Sequence, residues 1–343
     1  MLINNRKYNL DEVSIIPAKT CSINTRNECD PTYIGKLPIF IAPMCTLVDD
    51  TNIDVFERIG FNCIIPRTID FDKRLRMLNY GVWTAFGLKE SRYIAENPNV
   101  LTGDVINICV DQANGHMSSL LKVCKAIKQL SSPSLNIHIM AGNIANPLTC
   151  FDYAEAGVEY VRVGIGTGNV CTTSLQTGVH YPIASLISEC RSIIDSNPID
   201  LKIVADGGFE NISQIIKALG LGADYCMIGR IVASFEEACG PIVRNMSQTD
   251  MREYFGMSTN KAQILINGAS LFKDETFVIK KSEGESIYVP IECTADEWVR
   301  SFESALRSTM SYTNAKTLSE FVGKCDFVVQ NPYKLLSRNF KDF

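Results

Sequence analysis

The residue types best suited to covalent chemistry occur together in the segment VRVGIGTGNVCTTSLQTGVHYP, which spans residues 161–182. A short apolar strand is followed by three glycines and then by Cys171, which precedes threonines at positions 172 and 173. A thiol on such a loop can act as a nucleophile when a neighbouring group activates it. The glycines free the backbone to wrap a ligand, or to hold a monovalent cation through carbonyl groups. The alternative is that Cys171 is a small buried residue, as most of the 13 cysteines are expected to be.

Two further loops are suited to binding an anion. Asp206-Gly207-Gly208 and Gly229-Arg230 each follow a short apolar run. Glycines allow a ligand to approach the backbone and aim N–H groups at a negative charge. In α/β barrels the loops after the seventh and eighth strands often bind phosphate. The two loops therefore predict a phosphate site, with Asp206 placed to accept hydrogen bonds from ribose hydroxyls, and tight turns without a ligand are the alternative.

The elements that must position these loops are short apolar runs separated by helix-length segments. Runs of this kind are typical of parallel strands buried on both faces. The eight predicted strands are 38–43, 61–66, 82–86, 105–110, 136–141, 160–163, 202–205 and 224–228. Their alternation with amphipathic segments such as 118–130, 147–156 and 211–219 predicts an α/β fold, a (β/α)8 TIM barrel. An open doubly wound sheet is the alternative, which the absence of a GxGxxG motif after the first strand disfavours.

The C-terminal part of the sequence departs from this alternation. Residues 258–290 lack clear periodicity, which predicts a mobile flap beside the barrel mouth. A final helix is expected over 294–308, with Thr294 as its N-cap and Glu297 at the capping-box position. We therefore expect one barrel domain over 1–343, with a flap at about 258–290 and a C-terminal helix and tail over about 291–343.

Composition narrows the classes of function. The 343 residues are 46% hydrophobic and 21% charged, which is typical of a soluble globular protein with a sizeable core. A net charge of -5 without a long basic run argues against nucleic-acid binding, and no apolar run is long enough to span a membrane. Thirteen cysteines without CxxC spacing, and no signal peptide, predict a cytoplasmic protein. With three histidines, neither a Cys–His pair nor a His/Cys metal cluster is indicated.

Several motifs resemble, in order along the chain, those of the IMP dehydrogenase/GMP reductase family. They are VDQANGH, IMAGNI, VGIGTGNVCTTSLQTGVHYP, ADGG, MIG, YFGMS, KKSEGESIYVP and RSTMSYTNA. The threonine pair, the TGVxYP run and Glu283 resemble the reductase branch. The resemblance covers roughly residues 8–330. It implies a TIM-barrel homotetramer that converts GMP to IMP and ammonia with NADPH, through a covalent thioimidate intermediate on Cys171.

The resemblance also implies individual roles. Cys171 would be the nucleophile, with Thr173 and Glu283 handling protons at the departing amine. The residues implied for substrate binding are Met44, Asn169, Asp206, Gly207, Gly208, Gly229, Arg230, Gly256, Met257 and Ser258. Those implied for the cofactor are Asp111, Ala113, Asn114, Gly115, Asn143, Ser308 and Tyr312, of which the last two would reach a neighbouring subunit. The carbonyl groups of Gly166, Gly168 and Cys171 would hold a monovalent cation such as K+.

The departures from the family pattern cluster at the phosphate end. Asn169 stands where the family usually has Ser, Arg230 where it has Gly or Ser, and Phe255 where it has a Tyr. Elsewhere, Cys45 replaces an Asp, and Pro66-Arg67-Thr68 replaces a His-Lys-His run. Arg230 could compensate through charge-assisted bonds, or the departures could be drift in a diverged enzyme with Arg230 pointing to solvent. The alternative is an altered ligand, with a different phosphate position or a deoxy or modified purine nucleotide as substrate. IMP dehydrogenase-type oxidation and a non-catalytic nucleotide-binding barrel are the remaining alternatives.

Overall fold

A barrel of eight parallel strands forms the centre of the structure, a computed structural model that describes residues 6–168, 170–245, 247–274, 276 and 284–330. The strands of the described residues are, in chain order, β1 (Val13–Ile15), β2 (Ile39–Ile41), β3 (Asn62–Cys63), β4 (Thr84–Phe86), β5 (Val105–Asp111), β6 (Asn136–Ile144), β7 (Tyr160–Val163), β8 (Lys202–Asp206), β9 (Tyr225–Ile228), β10 (Ile242–Arg244), β11 (Asp250–Phe255), β12 (Ser286–Pro290) and β13 (Phe327–Val329). Strands β2 to β9 make the barrel, and each corresponds to one of the eight predicted strands.

The pairing of these strands closes into a ring. Their order is β3-β2-β9-β8-β7-β6-β5-β4, and every pair is parallel. A parallel bridge between Ile65 and Thr84 joins the two ends of this sheet. Ile65 N donates to Trp83 O and Ala85 N to Ile65 O, each at 2.9 Å. The closure confirms the predicted (β/α)8 barrel and excludes the open doubly wound sheet.

Aromatic side chains fill the N-terminal end of the barrel. The ring of Phe40 lies edge-on to Trp83, Tyr160 and Tyr225, with centroids 5.2–6.3 Å apart. These residues come from different sides of the ring, so their contacts cross the interior. Edge-to-face packing of this kind leaves no room for a ligand there. Any site in the barrel must therefore open at its C-terminal end, where the loops carrying polar residues emerge.

Helices surround the barrel. In chain order they are α1 (Ile53–Ile59), α2 (Phe71–Asn79), α3 (Leu88–Glu96), α4 (Ser118–Lys128), α5 (Thr149–Glu155), α6 (Thr173–Thr177), α7 (Ile183–Asp195), α8 (Ile212–Leu221), α9 (Arg230–Ala233), α10 (Asn260–Ala269), α11 (Ala295–Tyr312) and α12 (Leu318–Phe321). The three predicted amphipathic segments correspond to α4, α5 and α8. Among the residues described, no helix is both long enough and apolar enough to cross a membrane.

The helix α11 begins as the sequence predicts. Thr294 Oγ1 accepts a hydrogen bond from Glu297 N at 3.3 Å, and the Glu297 carboxylate accepts one from Thr294 N at 3.0 Å. This reciprocal pair satisfies two free N–H groups at the helix start. The helix continues to Tyr312, four residues beyond the predicted end.

Part of the segment that lacks clear periodicity in the sequence forms regular structure, and the predicted mobility of a flap over 258–290 stays a prediction. An antiparallel sheet β10-β11-β12 stands beside the barrel mouth, and α10 lies between β11 and β12. Thr259 caps α10 by accepting from Ala262 N at 3.2 Å. Only Ala262 and Ile266 of this helix are buried, whereas Ile264 and Leu265 are exposed. Because its apolar residues do not keep to one face, the helical period was hidden.

The segment after α10 contacts the helix α3. Leu271 N donates to Glu90 Oε1 at 3.3 Å, and the Phe272 ring lies 6.1 Å from that of Tyr93 on α3.

The two ends of the described chain pair with each other, since β13 is antiparallel to β1. Residues 277–283 of the predicted flap and 331–343 of the predicted tail lie outside the described residues.

Candidate active site

A cavity of about 280 Å³ opens at the C-terminal end of the barrel. It is lined by residues of the loops that follow the strands, together with the segment after β11 and the helix α10. The sequence-predicted residues that line it are Met44, Asp111, Ala113, Asn143, Gly166, Gly168, Cys171, Thr173, Asp206, Gly207, Gly208, Gly229, Arg230, Gly256, Met257 and Ser258. Loops far apart in the sequence thus meet at one site, as the barrel prediction required.

Cys171 lies half-buried at this cavity, on the loop between β7 and α6. Its Sγ donates to Thr173 Oγ1 at 3.3 Å, and its backbone N–H donates to Gly168 O at 3.0 Å. An antiparallel bridge pairs Cys171 with Gly284, and Glu285 N donates to Val170 O at 3.0 Å. The thiol therefore has a hydroxyl partner, and the chain entering β12 is hydrogen-bonded to the cysteine loop. Glu283, which precedes Gly284 in the sequence, lies outside the described residues.

A buried arginine beneath the cavity joins two predicted site carboxylates. Arg162 donates through Nη2 to Asp206 Oδ2 at 2.7 Å and through Nη1 to Asp111 Oδ1. Burial alone would raise the pKa of Asp111, but Arg162 and Arg67 outweigh it and hold the pKa below its usual value. Burial likewise opposes the charge of Arg162, yet the two carboxylates hold its pKa well above the usual value. Asp111 and Arg162 therefore remain ionised. Sequence reasoning missed Arg162, although it is the one charged residue in the apolar run YVRV.

Asn143 completes the surroundings of Asp206. Its Nδ2 donates to Asp206 Oδ2 at 2.7 Å and to Gly164 O at 2.8 Å. The donors that reach this carboxylate from described side chains all contact Oδ2. The second oxygen, Oδ1, is therefore left to accept hydrogen bonds from a ligand. The contact between Asp206 and ribose hydroxyls stays a prediction.

Two donors without strong acceptors lie at the phosphate end. The Tyr254 side chain is 4% exposed, and its hydroxyl donates to Met44 Sδ at 3.6 Å, a weak acceptor. Burial raises the pKa of Tyr254, so the phenol keeps its proton. Arg230 lines the cavity and makes no hydrogen bond or ion pair with the described residues. A methyl group on Gly229 would lie 2.5 Å from the Tyr254 hydroxyl. A glycine is therefore needed at this position to leave room for the Tyr254 side chain.

The structure corrects the expectation that Phe255 deprives this end of a hydroxyl. Phe255 is buried beneath Lys261, whose Nζ lies 4.9 Å from the ring centroid, and it does not line the cavity. Tyr254 supplies the hydroxyl instead, because adjacent residues of a strand point to opposite faces. The sequence contained this signal as the neighbouring Tyr in REYFGMS.

Packing explains the glycine pair after β8. A methyl group on either Gly207 or Gly208 would collide with Thr167 of the cysteine loop. Both glycines adopt positive φ, at 139° and 72°, which other residues rarely adopt. Thr167 Oγ1 also donates to Asp206 O at 2.8 Å. The two glycines thus allow the cysteine loop to lie directly on the loop after β8.

Arg67 also lines the cavity, and it belongs to the run Pro66-Arg67-Thr68 that departs from the family pattern. Its Nη1 lies 3.7 Å from Asp111 Oδ2 and donates to Asp111 O at 3.3 Å. Its Nε is buried without a hydrogen-bond partner. This guanidinium therefore adds positive charge to the cavity wall beside Asp111.

Some predicted residues lie elsewhere. Asn114 and Gly115 belong to the loop after β5 but do not line the cavity, and Ser308 and Tyr312 lie on α11, away from it. Gly115 is required by packing, since a methyl group there would lie 2.6 Å from both Asn143 O and Tyr153 Oη. Asn169 falls outside the described residues.

Two of the carbonyls expected to hold a monovalent cation already accept hydrogen bonds within the protein. The carbonyls of Gly166 and Gly168 accept from Ser174 Oγ at 3.4 Å and from Cys171 N at 3.0 Å. Each carbonyl oxygen retains a second lone pair, so these bonds leave room for a cation. Over the described part of the chain, no group of three or more His, Cys, Asp or Glu side chains could hold a metal ion.

Comparison with known proteins gives consistent matches. Residues 69–334 match the family model described as IMP dehydrogenase / GMP reductase domain. A protein named GMP reductase from Lactococcus lactis subsp. cremoris (strain SK11) is 30% identical over 341 residues, covering 95% of each chain. A GMP reductase from Buchnera aphidicola subsp. Schizaphis graminum (strain Sg) is 31% identical over 243 residues, covering 71% of this chain and 66% of its own.

Proposed function

Because the chain belongs to the IMP dehydrogenase/GMP reductase family, we propose that it reductively deaminates GMP to IMP and ammonia with NADPH. The observation that carries the proposal is the thiol of Cys171 at the barrel mouth, hydrogen-bonded to Thr173 and facing a nucleotide-sized cavity. The relatives named GMP reductase support the choice of the reductive direction.

In the proposed reaction the Cys171 sulfur forms a bond to C2 of the guanine base. A proton passes to the exocyclic amino group through the Thr173 hydroxyl and the carboxyl of Glu283, and ammonia leaves, which gives a thioimidate. NADPH supplies a hydride to C2 when it is bound. The carbon–sulfur bond then breaks and Cys171 returns to its starting state. The sum is GMP, NADPH and one proton giving IMP, NADP+ and ammonia.

The cavity offers separate surroundings for the two ends of the nucleotide. In the proposed complex, Asp206 Oδ1 accepts from ribose hydroxyls, because Arg162 and Asn143 already occupy Oδ2. Arg230 and the Tyr254 hydroxyl donate to the phosphate, since neither has a strong acceptor among the residues that the structure describes. Substrate binding would thereby use a side-chain cation together with the Tyr254 hydroxyl, and the cation would compensate for the hydroxyl lost where Asn169 replaces Ser. A ribonucleotide is favoured over a deoxynucleotide by the free oxygen of Asp206.

The opposite side of the cavity fits a dinucleotide cofactor. Asp111, Ala113 and Asn143 line it there, and the guanidinium of Arg67 lies beside Asp111. A carboxylate, an amide and a guanidinium suit a carboxamide and sugar hydroxyls. We include in the proposal a monovalent cation such as K+ at the carbonyls of the cysteine loop. We also include a homotetramer in which Ser308 and Tyr312 reach a neighbouring subunit's cofactor, since both lie away from this chain's own cavity.

The test is a pair of assays at 340 nm with purified protein. Loss of NADPH with GMP, matched by ammonia release and absent in Cys171→Ala, is the expected result. Formation of NADH from IMP and NAD+ would instead identify a dehydrogenase. Nucleotide binding without turnover in either direction would identify a binding protein, and reaction with dGMP alone would move the proposal to a deoxynucleotide.

A further inference from the structure

The side chain of His116 bridges two loops at the barrel mouth. His116 ends the loop after β5, and its Nε2 accepts a hydrogen bond from the backbone N–H of Ala145 at 3.0 Å. Its Nδ1 lies 3.1 Å from Oγ1 of Thr149, the first residue of α5. Both ring nitrogens are therefore engaged with the loop after β6.

The partners of the ring determine its protonation state. A backbone N–H can only donate, so Nε2 must be unprotonated to accept from Ala145. Nδ1 then carries the single proton and donates it to the Thr149 hydroxyl. A doubly protonated ring would place an N–H group against the N–H of Ala145, and the contact would be lost. The bridge exists only while His116 is neutral.

The bridge supports the loops that carry cavity residues. Asn143 N donates to Gln112 O at 2.7 Å, and Gly115 N donates to Asn143 O at 2.8 Å. These backbone bonds hold Ala113 and Asn143 beside each other on the cavity wall, and they do not change with pH. The His116 side chain makes a further hydrogen bond between the same two loops, to the N–H of Ala145. Unlike the backbone bonds, this one depends on pH, because a histidine side chain titrates near neutrality.

We propose that His116 is a positioning residue that couples its own protonation to cofactor affinity, by holding the loops of Ala113 and Asn143 together only when its ring is neutral. This inference rests on the proposed function, because it takes those two loops as the cofactor side of the cavity. His116 does not line the cavity, so its effect on the cofactor would be indirect.

The charges around the ring favour the neutral form. His116 as a whole is exposed, but partial burial of its ring lowers its pKa from 6.5, and no charged group among the described residues contributes to this shift. On its own loop, the carboxylate of Asp111 is engaged by Arg162. On the loop after β6 and on α5, the groups that contact the ring are the Ala145 N–H and the Thr149 hydroxyl. The bridge is therefore complete at neutral pH, and it is lost as the pH falls through the lowered pKa, below 6.5.

The experiment compares NADP+ affinity, measured by calorimetry from about pH 5 to pH 8, in the wild type and three variants. His116→Ala removes the bridge, and we expect NADP+ to bind about five- to tenfold more weakly at neutral pH. His116→Gln offers an amide oxygen to the Ala145 N–H without a titrating group, so affinity should be largely restored. His138→Gln is the matched control, because His138 bonds to Glu159 at the opposite end of the barrel.

The pH dependence separates a positioning role from a merely structural one. The phosphates of NADP+ titrate equally for all proteins, so the difference between wild type and His116→Gln reports on the ring alone. We expect the wild type and His138→Gln to lose additional affinity in acid, and His116→Gln to lack this loss. Identical pH profiles for wild type and His116→Gln would overturn the inference.

A second readout keeps the inference testable without a cofactor. Amide hydrogen exchange at Ala145 should be less protected in His116→Ala than in the wild type, and in wild type its protection should fall on acidification. Unchanged protection at Ala145 would overturn the proposed bridge. If NADP+ failed to bind the wild type while Ala145 behaved as expected, the proposed reductase function would be contradicted and the pH-dependent bridge would stand.

Discussion

Replacing Arg230 with serine should separate ligand binding from stability. The guanidinium lines the cavity and forms no hydrogen bond or ion pair with the described residues. Its removal therefore leaves no protein group without a partner. We expect the free energy of unfolding in urea to change by no more than about 0.5 kcal/mol.

The expected loss of nucleotide affinity is larger. A hydrogen bond to a charged group contributes about 1.5–3 kcal/mol, which corresponds to roughly a 10- to 100-fold change in affinity. Because the proposed partner of Arg230 is the phosphate, the loss should appear with GMP and be absent with guanosine, which has no phosphate. Calorimetry with both ligands, together with KM for GMP in the NADPH assay, measures the difference.

The control variant is Arg92→Ser, which removes an exposed guanidinium on α3 outside the cavity. It should change neither GMP affinity nor stability. The reasoning would be refuted if Arg230→Ser bound GMP as tightly as the wild type, or if GMP and guanosine were weakened by the same factor. A large loss of stability would show that the Arg230 guanidinium has a partner in the protein and is not free to bind a ligand.

Three further changes test other parts of the site. Tyr254→Phe removes a buried hydroxyl whose acceptor is a thioether, so stability should stay within about 0.5 kcal/mol while GMP affinity falls about fivefold by calorimetry. Arg162→Met leaves Asp206 without its cation and Asp111 with Arg67 alone, and urea unfolding should show a loss of about 3–5 kcal/mol. The pKa of Asp111 is lower in the folded protein than in the unfolded chain, so its ionised form stabilises the fold above about pH 4. The wild type should therefore lose stability as the pH falls below about 4. Arg162→Met should show a shallower dependence of stability on acid. Gly115→Ala should lower stability by about 1–3 kcal/mol in the same assay, since its methyl group meets Asn143 O and Tyr153 Oη at 2.6 Å.

The barrel and its loops could be predicted because their signal is local. The apolar runs mark all eight strands, and the polar residues after each run meet at one end simply because the strands are parallel. The N-cap of α11 was equally local, since Thr294 and Glu297 satisfy each other within one turn.

The remaining features depend on side-chain direction and on contacts between distant segments. The register of β11 decides whether Tyr254 or Phe255 faces the cavity. That register depends on contacts with distant segments and cannot be read from the sequence. Arg162 looks like an interruption of a buried strand until Asp111 and Asp206 are brought to it from two other strands. The helix α10 was missed because its apolar residues are shared between the cavity wall and the exposed face.

Transfer of a labelled hydride tests the proposed reaction most directly. The protein would be incubated with GMP and NADPH carrying deuterium at the transferable position, and the product nucleotide analysed by mass spectrometry. The account predicts IMP that carries one deuterium at C2, equal amounts of ammonia and NADP+, and no product from Cys171→Ala. Unlabelled IMP, or labelled IMP formed equally well without the Cys171 thiol, would contradict it.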